Sequence, residues 1–206
     1  MNKIFLSLLL VFTITSCASL IEPLLKPSVN TELTSLRSGE YRIDPSHAKI
    51  LFKVGHLGLS TYVGRFNEFD AELNFDPKNI EQSTLEAVIK IASIDCNDQT
   101  LEDTLKEPSW FDAARFPEAL FRSSNAYKLA NGDIEFEGMF TLRGKTMPLV
   151  VRGKFHGGAN NILTGKYTLG FSGSTTIKRS DYKIDNYLSL VADDVAIEIY
   201  AEFLRR

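Results

Sequence analysis

The chain predicts an all-β fold, an antiparallel barrel or sandwich, with one short helical insertion near residues 97–116. Three observations carry that prediction. Apolar and polar residues alternate with a period of two through most of the chain after residue 40, as half-buried strands require. Turn signals rich in Gly and Asn separate the alternating runs, so neighbouring strands are joined as hairpins. Fourteen phenylalanines supply bulk for a single interior.

The elements follow in order. In VGHLGLSTYVGRF, Gly55, Gly58 and Gly64 fit bends and bulges of a curving strand pair. FDAELNF puts Phe69, Ala71, Leu73 and Phe75 on one face, and TLEAVIKI does the same with Leu85, Ala87, Ile89 and Ile91. Asn131-Gly132 turns FRSSNAYKLA into DIEFEGMFTL, whose inward row is Ile134, Phe136, Gly138 and Phe140. Arg143-Gly144-Lys145 turns the chain into PLVVRGKFH, with Leu149, Val151, Gly153 and Phe155 on one side, and the next turn is expected over 157–161. Tyr167, Leu169, Phe171 and Gly173 form the following row, and Val195, Ile197, Ile199, Ala201 and Phe203 the last. NDQTLEDTLKEPSWFDAARFP breaks the alternation. Leu101 and Leu105 stand at helical spacing there, Asn97 or Asp98 can cap a helix, and the helix must end before Pro108.

The inward rows contain small residues: Ala71, Ala87, Gly138, Gly153, Gly173 and Ala201. They read in two ways, as room left for a resident ligand or as relief of crowding where strands bend. Barrel and sandwich both satisfy the alternation.

The N-terminus reads as export machinery. Lys3 precedes an apolar run from Ile4 to Ile14, shorter than the ~20 residues a spanning helix needs. Ile14-Thr15-Ser16-Cys17 resembles a bacterial lipobox, so residues 1–16 are expected to be a lipoprotein signal peptide with Cys17 the lipidated residue. Residues 17–39, with Pro23 and Pro27 and no sustained period, are expected to be a tether, and residues 40–206 one domain.

Composition excludes some functions. A net charge of −3 argues against a nucleic-acid surface. With Cys17 acylated, Cys96 has no disulfide partner and reads as a small buried residue. His47, His56 and His156 are scattered, with no paired spacing for a metal, and no GxSxG elbow is present. His56 reads first as a structural residue bonded to a backbone carbonyl near a bend, and second as a polar contact to a ligand. Trp110-Phe111 fits a plug at one end of the fold or a contact to a ligand tail. Arg179 fits a polar head group, or equally an ion pair with Asp181 or Asp185.

The stretches YRIDPSHAKILFKVGHLGLSTYVGRFNEFDAELNFD, WFDAARFPEALFRS, GMFTLRGKTMPLVV, GFSGSTTIKRSDYKID and ADDVAIEIYAEF lie in order across 41–203. In combination they resemble the YceI-like family, the lipocalin-like polyisoprenoid-binding proteins of the bacterial envelope. The resemblance implies an extended antiparallel lipocalin-like β-barrel with a short helical insertion. It implies a non-enzymatic carrier, with no cofactor beyond a bound isoprenoid, isoprenoid quinone or fatty-acid derivative. On that reading the ligand contacts are His56, Phe52, Phe69, Leu73, Ile89, Trp110 and Phe111. Phe136, Phe140, Phe155, Leu169, Phe171 and Arg179 complete the set. The expected partners are the lipid ligand and a membrane reached through the Cys17 anchor, with a homodimer left open. The expected place is the periplasmic side of the envelope, with Ala18 after Cys17 matching outer-membrane sorting by resemblance to enteric lipoproteins. Two rivals are an envelope hydrolase using His56 and Ser60, and a structural stress-related envelope module with a filled barrel.

Overall fold

The computed structural model describes residues 26–206. The signal segment, Cys17 and the first part of the expected tether lie outside the described residues. Eleven strands form one sheet: β1 Gly39–Ile43, β2 Lys49–His56, β3 Ser60–Phe66, β4 Phe69–Phe75, β5 Thr84–Lys90, β6 Ile94–Asp95, β7 Glu118–Lys128, β8 Ile134–Leu142, β9 Lys145–Asn161, β10 Lys166–Lys178 and β11 Val191–Arg205. Among the described residues one α-helix, α1, spans Gln99–Lys106 between β6 and β7.

The sheet closes. Its order runs β1-β4-β5-β7-β8-β9-β10-β11, and β11 returns to β1 through Tyr41 opposite Arg205 and Ile43 opposite Phe203. All neighbours are antiparallel, so the ring is an eight-stranded barrel of the kind the sequence resemblance implied. Short interruptions bend its walls. A 3₁₀ turn at Pro45–His47 separates β1 from β2, and another at Ile91–Ser93 separates β5 from β6. β11 spans both levels: its C-terminal residues pair with β1, and Val191 to Tyr200 pair with β2. β2, β3 and β6 thereby extend the barrel wall beyond the ring.

Local chemistry explains the joints. Arg143 and Gly144 both take positive φ, 48° and 68°, in the two-residue turn between β8 and β9, matching the right-handed twist of the strands. Asp98 caps α1 by accepting from the Thr100 and Leu101 N–H groups, and the helix ends before Pro108 as the sequence requires. One expected turn moves. Residues 157–161 are not a turn but the end of β9, and the chain reverses over 162–165 instead. Gly157 marks no turn: its φ of 131° serves a register shift against β10 within the strand pair.

The two levels differ in packing. At the lower end Phe171 meets Phe75, Phe155 and Phe203 at ring-centroid distances of 6.3, 5.3 and 6.0 Å. Tyr41 and Leu169 are fully buried beside them. Burial pushes the Tyr41 phenol up to about 12, with its hydroxyl donating to the Arg37 carbonyl at 2.6 Å. The segment expected as a tether contributes to this base, which corrects that expectation from Asn30 onward. Asn30 exchanges two backbone hydrogen bonds with Gly158, and Leu33 and Leu36 are buried.

Candidate ligand-binding cavity

The upper level is hollow. A cavity of about 810 Å³ lies between the β2–β3 wall, the start of β11, α1 and the segment after it. Ile50, Phe52, Val54, Val195 and Ile197 supply strand walls, and Leu101 and Leu105 face in from α1. A second chamber of about 120 Å³ continues towards the base, and Ile50, Ile89, Phe140 and Ile197 line both. The total falls in the usual range for sites that enclose a small ligand, ~300–1,000 Å³.

The small residues divide between the two explanations. Ala71, Ala87, Gly153, Gly173 and Ala201 line the inner chamber, so the missing side-chain volume there is open space. Gly138 is different: a Cβ on it would stand 2.2 Å from the Arg122 carbonyl oxygen, beside the bulge at Ser123. Gly64 lies opposite Phe52 in register, and its missing Cβ admits the Phe52 ring. That ring then tilts against Phe66 at 5.7 Å, and both rings line the cavity.

The sequence-derived contacts fall into groups. His56, Phe52, Ile89, Trp110, Phe111, Phe140 and Arg179 line the larger cavity, and Phe69, Leu73, Phe136 and Phe171 the inner chamber. Phe155 and Leu169 reach neither. They sit in the aromatic base, where Phe155 packs on Phe171 and Leu169 is completely buried, so their place among ligand contacts is corrected.

Arg179 is also corrected. Its guanidinium borders the cavity but pairs neither with Asp181 nor Asp185. It donates to the carbonyls of Ala192, Ile184, Asn186 and Val191 at 2.8–2.9 Å. Burial lowers its pKa from the ordinary arginine value, with the charges of Asp193 and Asp185 opposing that effect. Its donors hold backbone and do not await a head group. Ser180 and Asp181 lie in the 3₁₀ turn after β10, and Asp193 accepts from both the Ser180 N–H and hydroxyl.

Other polar groups gather at the mouth. His56 ends β2, is exposed, and pairs in register with Ser60 across the hairpin. Its ring makes no hydrogen bond among the described residues, so the expected bond to a carbonyl is not made. Glu107, which the sequence reading did not single out, also lines the cavity at the end of α1. Asn186 Nδ2 donates to the Ser109 carbonyl at 2.6 Å, joining the mouth loop to the segment after α1. Tyr62 donates to the Cys96 carbonyl at 3.3 Å. Cys96 itself is buried in the wall, and desolvation pushes its thiol up to about 11, which makes it inert.

Metal-type side chains meet elsewhere. Ligand atoms of Asp44, His47 and Glu202 lie within 4.8 Å of one another near the β1–β2 turn. Asp44 already accepts from the Ser46 N–H and the His47 ring, both at 2.9 Å, so the cluster is a turn cap.

The matching stretches noted in the sequence agree with wider comparison. A model of the YceI-like domain matches residues 41–203. The chain belongs to the YceI-like family. A UPF0312 protein of Vibrio cholerae is 35% identical over 149 residues, covering 71% of this chain and 78% of its own. Among solved structures, Burkholderia cenocepacia BcnA superposes with a TM-score of 0.71 at 26% identity, over 78% of this chain and 98% of that one. A polyisoprenoid binding domain from Saccharophagus degradans shares the fold at 13% identity, with a TM-score of 0.62, over 82% of this YceI-like chain and 100% of its own.

Proposed function

We propose that this YceI-like protein binds one long-chain amphiphile, an isoprenoid, isoprenoid quinone or fatty-acid derivative, and carries or sequesters it at the bacterial envelope. The observation that carries the reading is the pair of apolar chambers in line along the barrel, about 810 and 120 Å³ with four residues in common. Their arrangement suits a slender tail whose tip enters the inner chamber. Left unfilled, the inner chamber alone would cost about 3 kcal/mol at ~24 cal/mol per Å³, which favours an occupant. Roughly ten buried methylenes at ~0.8 kcal/mol each would supply about 8 kcal/mol before ordering costs, a micromolar scale of affinity. Apolar walls distinguish tails poorly, so discrimination falls to His56 and Glu107 at the mouth, which can hydrogen-bond a polar head.

The lipid anchor at Cys17, the outer-membrane location and the absence of catalysis belong to the same proposal. A second copy as partner has no supporting observation. The hydrolase reading has little to stand on: His56 and Ser60 are cross-strand neighbours, but among the described residues no carboxylate orients the imidazole through a hydrogen bond. Native mass spectrometry of the purified protein tests the carrier reading. A bound mass in the range of long-chain lipids is expected. A protein that carries none, and takes up neither polyprenol, quinone nor fatty amide after delipidation, overturns it.

A further inference from the structure

The cavity opens between two loops whose outer surfaces are apolar. The β2–β3 turn carries Leu57 and Leu59, 49% and 85% exposed, and the loop before β11 carries Tyr187, Leu188 and Leu190, 65%, 43% and 47% exposed. Leu57 N–H donates to the Leu190 carbonyl at 2.7 Å, so the loops are joined side by side. Single exposed leucines need no account, but a contiguous group around an opening does. Leu57 and Tyr187 also both adopt φ of 55°, a left-handed conformation bulky residues seldom take.

Charge narrows the occupant. No Lys, Arg, Asp or Glu occurs in 54–64 or in 186–192, the stretches that form the rim. Neither loop supplies the Lys, Arg, Asp or Glu side chains that commonly set a protein partner in register, although Glu107 stands at the same mouth. A lipid surface needs only apolar area. Leu57, Tyr187 and Leu190 line the cavity as well, so the patch is the outward continuation of its wall. A long tail crossing open water between bilayer and cavity is disfavoured about fourfold for each methylene exposed. Direct contact between the two apolar phases removes that barrier.

We propose that the rim docks mouth-first on a lipid bilayer and that cargo moves between bilayer and cavity without crossing water. The proposal rests on the lipid-binding reading above. It also fixes an orientation. The N-terminal segment joins the barrel at its base, through Asn30 and Gly158, whereas the rim lies at the far end of β11. β11, fifteen residues long, runs between the two levels, a strand path of at most about 50 Å at ~3.3 Å per residue. Attachment through the N-terminal segment therefore does not by itself bring the rim to the same membrane.

Trp110, the chain's single tryptophan, reports on the rim, because it stacks on Tyr187 with ring centroids 6.3 Å apart. The full chain is mixed with phosphatidylcholine vesicles carrying brominated acyl chains, and Trp110 quenching is compared with that of the Leu59→Asp/Leu188→Asp double variant. Neither substituted residue lines the cavity, so uptake of cis-parinaric acid from ethanol dilution should match in both proteins. Quenching is expected in the wild type, with the variant needing at least about tenfold more lipid, since each withdrawn leucine forfeits a factor of that order. Equal quenching in both, or none in the wild type, overturns docking. So does a wild-type dimer that the variant breaks while vesicles leave Trp110 unquenched, because a second copy would then own the patch. If neither protein takes up cis-parinaric acid but quenching follows the expected pattern, the carrier reading fails and docking stands.

Discussion

Arg179 donates from Nη1 to the carbonyl of Asn186 at 2.8 Å, and the same nitrogen also reaches the carbonyl of Ile184. With Nε and Nη2 held by Ala192 and Val191, one buried guanidinium fixes both ends of the loop that edges the cavity. Arg179→Met should leave four carbonyls without a donor and cost about 3 kcal/mol or more. Arg179→Lys keeps the charge but not the planar fork, and should fall between. Urea unfolding measures both. A methionine variant with the wild-type midpoint would show that the loop holds itself.

Two inward glycines should respond in opposite ways to the same change. Gly138→Ala drives a Cβ to 2.2 Å from the Arg122 carbonyl, and backbone at a bulge has little freedom to retreat. A loss of about 3 kcal/mol is expected, at the upper end of overpacking costs. Gly173→Ala meets Ile199 and Val151 at 3.4–3.6 Å, ordinary contact distances. It should be neutral or stabilise by a few tenths to about 1 kcal/mol by restricting the unfolded chain. Thermal unfolding of the two variants side by side decides the matter.

Those glycines mark the boundary of what the sequence discloses. Alternation identifies the inward rows because a pleated strand has a strict period of two, and Val195, Ile197, Ile199, Ala201 and Phe203 all face the interior as their spacing requires. Periodicity carries no information about depth, however. Phe155 and Leu169 belong to inward rows like Phe136 and Phe140, yet they fall below the cavity floor, where aromatic rings interlock. The same limit applies to the small residues, because a missing side chain looks alike whether it leaves space or admits a carbonyl. The mouth was the least legible part. Tyr187, Leu190 and Asn186 sit in a loop without period, placed by the long-range bonds of Arg179 and the left-handed turn at Tyr187. Leu33 and Leu36 escaped notice for a related reason, since a short 3₁₀ turn between prolines and a strand shows no repeat.

Filling the inner chamber should separate stability from capacity. Ala87 on β5 lines that chamber, opposite Ala71 and Phe121 on the neighbouring strands. Ala87→Ile adds bulk suited to a strand and should raise stability by about 1 kcal/mol, as cavity-filling changes commonly do. The same bulk removes the seat for the tip of a long tail. Native mass spectrometry with a mixture of chain lengths should then show shorter ligands retained and the longest lost. Unchanged selection by length would place the tail wholly in the upper cavity.

The Asp44–His47 pair predicts how stability depends on pH. The hydrogen bond from His47, at 2.9 Å, is the largest influence holding the Asp44 carboxyl below its ordinary 3.8, and the same bond raises His47 above its ordinary 6.5. A raised histidine pKa contributes stability that is complete below 6.5 and is lost as pH climbs through the folded value. A depressed aspartate pKa contributes stability that is present above 3.8 and is lost as pH falls through its own folded value. Both shifts describe one interaction and are not added. The gap in stability between wild type and His47→Gln should therefore be widest between pH 3.8 and 6.5 and should close at alkaline pH. Its size should stay under about 1 kcal/mol, because the His47 side chain is 58% exposed and solvent screens the pair. Denaturant midpoints taken across that range test it, and a gap that stays level from about pH 5 to about pH 9 would show that the imidazolium charge plays no part.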